Sequence, residues 1–117
     1  MSDVLDPAVL DVLRSLSAPG EPDVLTEVLQ LFMVEVPPRL DKLRNAWAEG
    51  NIQEVHRSAH SLKGSAGNIG ANAMFAVCKE LDEKSRSADT GAIGSLVDAL
   101  GVEYGRVQAE IERLLHK

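Results

Sequence analysis

Three of the 117 residues are histidines, and His60 has the surroundings of a nucleophile. On a helical projection His56, His60, Lys63, Gly64 and Gly67 share one face within roughly 60° of His60. Ile52, Val55, Ala59, Leu62, Ala66 and Ile69 form an apolar stripe on the opposite face. The imidazole is therefore predicted to face solvent. A solvated imidazole is largely neutral near pH 7 and keeps one ring nitrogen free to attack an electrophile. Lys63, one turn on, supplies positive charge for an anion placed on that ring. A glycine inside a helix costs about 0.5–1 kcal/mol relative to alanine. Gly64 and Gly67 beside the histidine thus read as stability given up so that something large can come close.

The residue set is too sparse for an enzyme working alone. A hydrolase needs a base, an orienting acid and an oxyanion site around its nucleophile, and no such set is visible. Nor is there a glycine-rich phosphate cradle between a strand and a helix. His56 and His60, four residues apart, could pair on a metal. Zinc takes three or four protein ligands, however, and the sequence supplies no further cysteine, histidine or clustered carboxylate beside them. No metal is expected. A nucleophile with a counter-charge suits a phosphoryl carrier, because phosphoryl transfer proceeds mainly by alignment and charge neutralisation.

The string His60-Ser61-Leu62-Lys63-Gly64-Ser65-Ala66, followed by Gly70-Ala71, resembles the signature of the histidine-containing phosphotransfer (HPt) domain family. Leu31-Phe32 upstream and Cys78-Lys79-Glu80-Leu81-Asp82 downstream extend the resemblance over nearly the whole chain. It implies a multistep two-component phosphorelay in which His60 accepts a phosphoryl group on Nε2 from a receiver-domain aspartate and passes it to another receiver. On that mapping Lys63 neutralises phosphate oxygens, Ser65 orients the imidazole or the phosphate, and Gly64 and Gly67 admit the partner. His56, Arg57, Phe75, Lys79 and Asp82 are expected on the docking face, with Arg57 and Lys63 forming a basic spot. The chain is expected to hold no cofactor, with magnesium on the receiver partner. The competing reading, a helical adaptor that only binds receiver or kinase domains, leaves the free nucleophile without a purpose.

Five helices are needed to place these residues. Asp6-Pro7 is a helix start, with a capping carboxylate and a proline at the first position, and the helix ends before Ala18-Pro19-Gly20. Leu25, Leu29, Phe32, Val36, Leu40, Leu43 and Trp47 stay in phase across Pro37-Pro38. That pattern predicts one long kinked helix over 22–49 despite the usual ~3 kcal/mol cost of an internal proline. Asn51 caps a third helix over 52–69, Gly70 reverses the chain, and a fourth covers 71–87 with Met74, Val77, Cys78, Leu81 and Ser85 inward. Phe75, Lys79, Asp82 and Arg86 project about 100° away from that stripe. After Ala88-Asp89-Thr90-Gly91, Ile93, Val97, Leu100, Tyr104, Val107, Ile111 and Leu114 define the last helix, which Gly94, Gly101 and Gly105 weaken. Strand signals are absent. Short links between long helices predict an all-α, up-down antiparallel four-helix bundle with a short extra N-terminal helix.

Composition sets the outer limits. The length fits one domain spanning 1–117. A 44% hydrophobic content with only 3% aromatics requires an aliphatic core, in which Trp47 and Tyr104 are fillers and Cys78 a small buried hydrophobe. Eighteen acidic against twelve basic residues, a formal charge of −6, argue against a nucleic-acid partner. No apolar run approaches the ~18 residues of a membrane span. One cysteine and no basic-then-apolar leader point to the cytoplasm. The chain reads as a whole protein and a monomer.

Overall fold

The computed structural model describes residues 3–87 and 89–116. Five helices follow one another: α1 (Pro7–Ser15), α2 (Val24–Ala48), α3 (Ile52–Asn68), α4 (Asn72–Arg86) and α5 (Thr90–Leu115), with no strand among the described residues. Helices α2 to α5 form the up-down bundle, each packed on its chain neighbour, and α5 returns against α2. The links after α2, α3 and α4 are too short for anything but antiparallel packing. Ala88, part of the expected break before α5, lies outside the described residues.

The ends of the helices are set locally. Asp6 Oδ1 accepts from Ala8 N at 2.9 Å, and Asn51 Oδ1 accepts from Glu54 N at 3.2 Å, as capping chemistry requires. Helix α2 begins two residues later than expected, because Asp23 is extended and the Ser17 hydroxyl accepts from Val24 N at 2.8 Å. It then runs unbroken through Pro37 and Pro38. Val36, Leu40 and Leu43 are almost fully buried on either side of the prolines, which offsets the lost backbone bonds.

The core is aliphatic, drawn from Leu29, Leu40, Leu43, Val55, Leu62, Ile69, Met74, Leu81, Ile93, Leu100 and Ile111. Phe32 and Tyr104 stack at 6.4 Å between α2 and α5. At Gly94 a Cβ would lie 3.2 Å from Trp47 Cζ2. That glycine weakens α5 in isolation but makes room for the indole. Cys78 is buried, and burial pushes its thiol up to about 12, so it is chemically quiet.

The turn between α3 and α4 sets the register of the site. Gly70 has φ +72, and a Cβ there would come within 2.9 Å of Asp6 Cβ and 3.0 Å of Asp6 N. Its carbonyl accepts from Asp6 N at 2.9 Å, tying the N-terminal segment over that end of the bundle. Gly70→Ala therefore adds left-handed strain of about 1–2 kcal/mol and a backbone clash. A drop in stability of at least that size is expected in urea unfolding monitored by circular dichroism.

Candidate functional site

The site lies on the seam between α3 and α4. Val55, Ala59, Leu62 and Ala66 are fully buried, which turns the face carrying His56, His60, Lys63 and Gly64 outward. The His60 side chain is 67% exposed. Gly64 is exposed as well, and a Cβ there would meet no atom within 4 Å. The flank of the imidazole is open.

Beneath this face sits Asp82, where the structure corrects the sequence reading. Projected on α4 alone, Asp82 belongs to the exposed docking face; packed against α3, it is 4% exposed. His60 Nδ1 lies 3.2 Å from Asp82 Oδ2, and Lys63 Nζ donates to the same oxygen at 3.2 Å. His56 Nε2 is 2.6 Å from Oδ1, with Arg86 Nε at 3.9 Å. A buried carboxylate thus gathers four basic side chains. Burial acts to raise the Asp82 carboxyl, but hydrogen bonds from His60 and Lys63 and the charges of His56 and Lys63 outweigh it. The net effect holds Asp82 below the ordinary carboxylate value.

This geometry fixes the tautomer of His60. An ionised carboxylate only accepts hydrogen bonds, so Nδ1 of His60 carries the hydrogen and the lone pair sits on Nε2, directed away from Asp82. Lys63 is 27% exposed, and its ammonium lies beside the ring, within reach of an anion placed on Nε2.

Other expected residues fall differently. The Ser65 hydroxyl donates to the Ser61 carbonyl of its own helix at 3.4 Å and lines a groove with Val28, Leu31 and Phe32. It does not face the imidazole, because five helical residues carry it about 140° round. The contact that orients the ring comes from Asp82. A Cβ at Gly67 would be 3.4 Å from the Phe75 ring, so this glycine seats Phe75 against α3. Phe75 keeps 36% exposure, and Lys79 is exposed beside it on α4. Arg57 is 72% exposed and pairs with Glu54 Oε2 at 3.3 Å, while Lys42 holds the other Glu54 oxygen at 3.2 Å. The expected basic spot is thus largely neutralised, with Arg57 on Glu54 and Lys63 on Asp82. Arg39, unremarked in the sequence, donates to the Ser61 hydroxyl and links α2 to α3. Among the described residues no group of three or more His, Cys, Asp or Glu side chains is arranged to hold a metal. No helix among them is long and apolar enough to cross a membrane.

A helical bundle with a solvent-facing histidine on its second long helix defines a class. The Hpt domain model matches residues 27–117, and the chain belongs to the Hpt domain family. Its activity is histidine phosphotransfer in a phosphorelay. The family consists of phosphoryl carriers rather than classical enzymes, and its members work with response-regulator receiver domains. The chain is similar to histidine-containing phosphotransfer protein 2 of Arabidopsis thaliana, with 22% identity over 107 residues, covering 89% of this chain and 69% of the relative. It also resembles the crystal structure of histidine-containing phosphotransfer protein B (HptB) from Pseudomonas aeruginosa PAO1. That match has a TM-score of 0.87 and 27% identity, covering 97% of this chain and 95% of the other.

The Asp82 cluster carries a pH signature. A carboxylate held below its unfolded value contributes stability that is fully present above about pH 4 and is lost as pH falls through the lower folded value. Asp82→Asn should therefore be less stable than wild type near pH 7. The gap should narrow as the pH is lowered below about 4, measured as the difference in urea midpoint across a pH series.

Proposed function

We propose that His60 is the phosphoacceptor and that Nε2 is the atom that carries the phosphoryl group. The observation behind this reading is the pairing of an exposed His60 ring with a buried Asp82 that takes its other nitrogen. The Nε2 lone pair attacks the phosphorus of an aspartyl phosphate on a receiver domain. The N–P bond forms, the acyl P–O bond breaks, and the aspartate carboxylate leaves with its electron pair. Hydrogen stays on Nδ1, so the positive charge that develops on the ring faces Asp82. Transfer to a second receiver runs the same steps in reverse.

Each neighbour has a part in this scheme. Lys63 swings from Asp82 to the phosphate oxygens, a short move for a flexible ammonium. Such a charge is needed because the phosphate would lie mid-helix, far from the favourable N-terminal dipole. Gly64 keeps the approach clear. Phe75 and Lys79 on α4, with His56 and Arg57 on α3, border the docking surface. The chain needs no cofactor of its own in this scheme; the magnesium ion belongs to the receiver.

His60→Gln should abolish labelling by a phosphorylated receiver while leaving the bundle folded; retained acid-labile, base-stable label in that variant would refute the assignment. Lys63→Ala should slow transfer by about tenfold or more, the usual scale for losing one charge-stabilising group. Gly64→Gln separates access from stability. It should hold or raise the urea midpoint, since glycine costs about 0.5–1 kcal/mol in a helix, and still block transfer. Unchanged transfer rates would show that nothing large docks over Gly64.

A further inference from the structure

The charges left free on this face are not on α3. Arg57 is held by Glu54, while Lys63 and Arg86 lie against Asp82. Among the described residues, every lysine and arginine but two lies within ion-pair reach of a carboxylate. The exceptions are Arg39 on α2 and Lys79 on α4, both exposed. Arg39 donates instead to the neutral hydroxyl of Ser61, the residue after His60. Lys79 stands one helical turn before Asp82, which holds His60, and one turn after Phe75. Each has a glutamate four positions off on its own helix, Glu35 and Glu83, at the interval where such pairs form, and neither pair is made. Helices α2 and α4 are the two neighbours on which α3 packs. The free cations therefore stand one on each flank of the histidine.

We propose that Arg39 and Lys79 determine which receivers dock and in what orientation, each pairing with a carboxylate that the receiver presents beside its aspartyl phosphate. The inference rests on His60 being the phosphoacceptor. A carboxylate partner follows from the charges themselves. Two cations turned to solvent without an acid of their own give up little on meeting an acidic group, whereas Arg57 would first have to leave Glu54. The partner must also be broad. A whole helix separates the two cations, and neighbouring helix axes lie ~8–10 Å apart. One small anion cannot reach both, while a protein surface can. With a net charge of −6 the chain as a whole repels an acidic partner. Over a screening length of about 8 Å in physiological salt, however, the nearest charges govern the encounter. Arg39 and Lys79 thus let a repulsive protein accept an acidic face at this one place and reject a basic one.

The test uses the full chain and a receiver domain that passes its phosphoryl group to it, the receiver being phosphorylated with acetyl phosphate and magnesium. Transfer rates are followed against receiver concentration, from about 50 to 500 mM salt. Arg39→Gln and Lys79→Gln should each raise the half-saturating receiver concentration about two- to fivefold at low salt, with the rate at saturation changed by less than about twofold. Arg39→Glu and Lys79→Glu should raise it further, because repulsion replaces attraction. These penalties should fade as salt rises. Ser61→Ala releases the Arg39 guanidinium but keeps its charge, and should show no such salt-dependent loss. Arg113→Gln, the same change of charge on α5, should behave as wild type. A penalty as large in Ser61→Ala as in Arg39→Gln would make the arginine a staple between helices and overturn its docking role. Half-saturation unmoved by charge reversal, or moved equally at every salt concentration, would overturn the proposal as a whole. Labelling of His60→Gln by the same receiver would instead overturn the assignment of the acceptor.

Discussion

One carboxylate buried between two helices organises this protein. Asp82 is nearly shut off from water, and a charge in that position is tolerable only with close, hydrogen-bonded partners. His60 and Lys63 bond to it and His56 lies close by, the same side chains that form the proposed site. In the proposed mechanism, satisfying the buried charge and preparing the nucleophile are a single structural task. The carboxylate pins the Nδ1 side of the His60 ring and leaves the other nitrogen with its lone pair in solvent. It also stores the Lys63 ammonium within reach of that nitrogen.

The rest of the bundle serves to keep this arrangement open. Small or short residues along α3, among them Ser58, Ala59, Ala66 and Gly67, let α4 approach closely enough to cover Asp82 and seat Phe75. The outward side is left uncrowded at Gly64. A carrier has to hand its cargo to different partners, so a deep pocket would work against it. The His60 ring stands in the open, and it lines neither of the neighbouring clefts that Arg57 borders. What the domain supplies is a tautomer, a counter-charge and clearance, while the activated donor comes from the partner.

Much of this could be read along the chain because helical periodicity and capping are local. Asp6-Pro7, Asn51 and Gly70 mark their boundaries through contacts with residues near in sequence or through backbone geometry. The phase of Leu29, Val36, Leu40 and Leu43 carried α2 through two prolines. The misplaced residues were those whose environment is made by another helix. Asp82 lies off the α4 stripe, yet α3 covers it. Ser65 follows the motif histidine closely but turns toward α2. The charge of Arg57 is spent on Glu54, which α2 also engages through Lys42. One signal for Asp82 was present: antiparallel packing about the Gly70 turn brings residues some ten to twelve positions either side to one height, which pairs 60 with 82.

By itself the sequence determined that five amphipathic helices form, where they begin and end to within about two residues, and that His60 stands on a polar face with a lysine and a glycine one turn away. These follow from a period of 3.6 residues and from short-range hydrogen bonds, which need no knowledge of neighbours. Only the tertiary structure decided which nitrogen of His60 is free, that Asp82 is buried, and that His56 shares the same carboxylate. Those properties depend on how far α3 and α4 are turned about their axes when they pack. A few tens of degrees of rotation there separate a solvated aspartate from one that fixes the His60 tautomer.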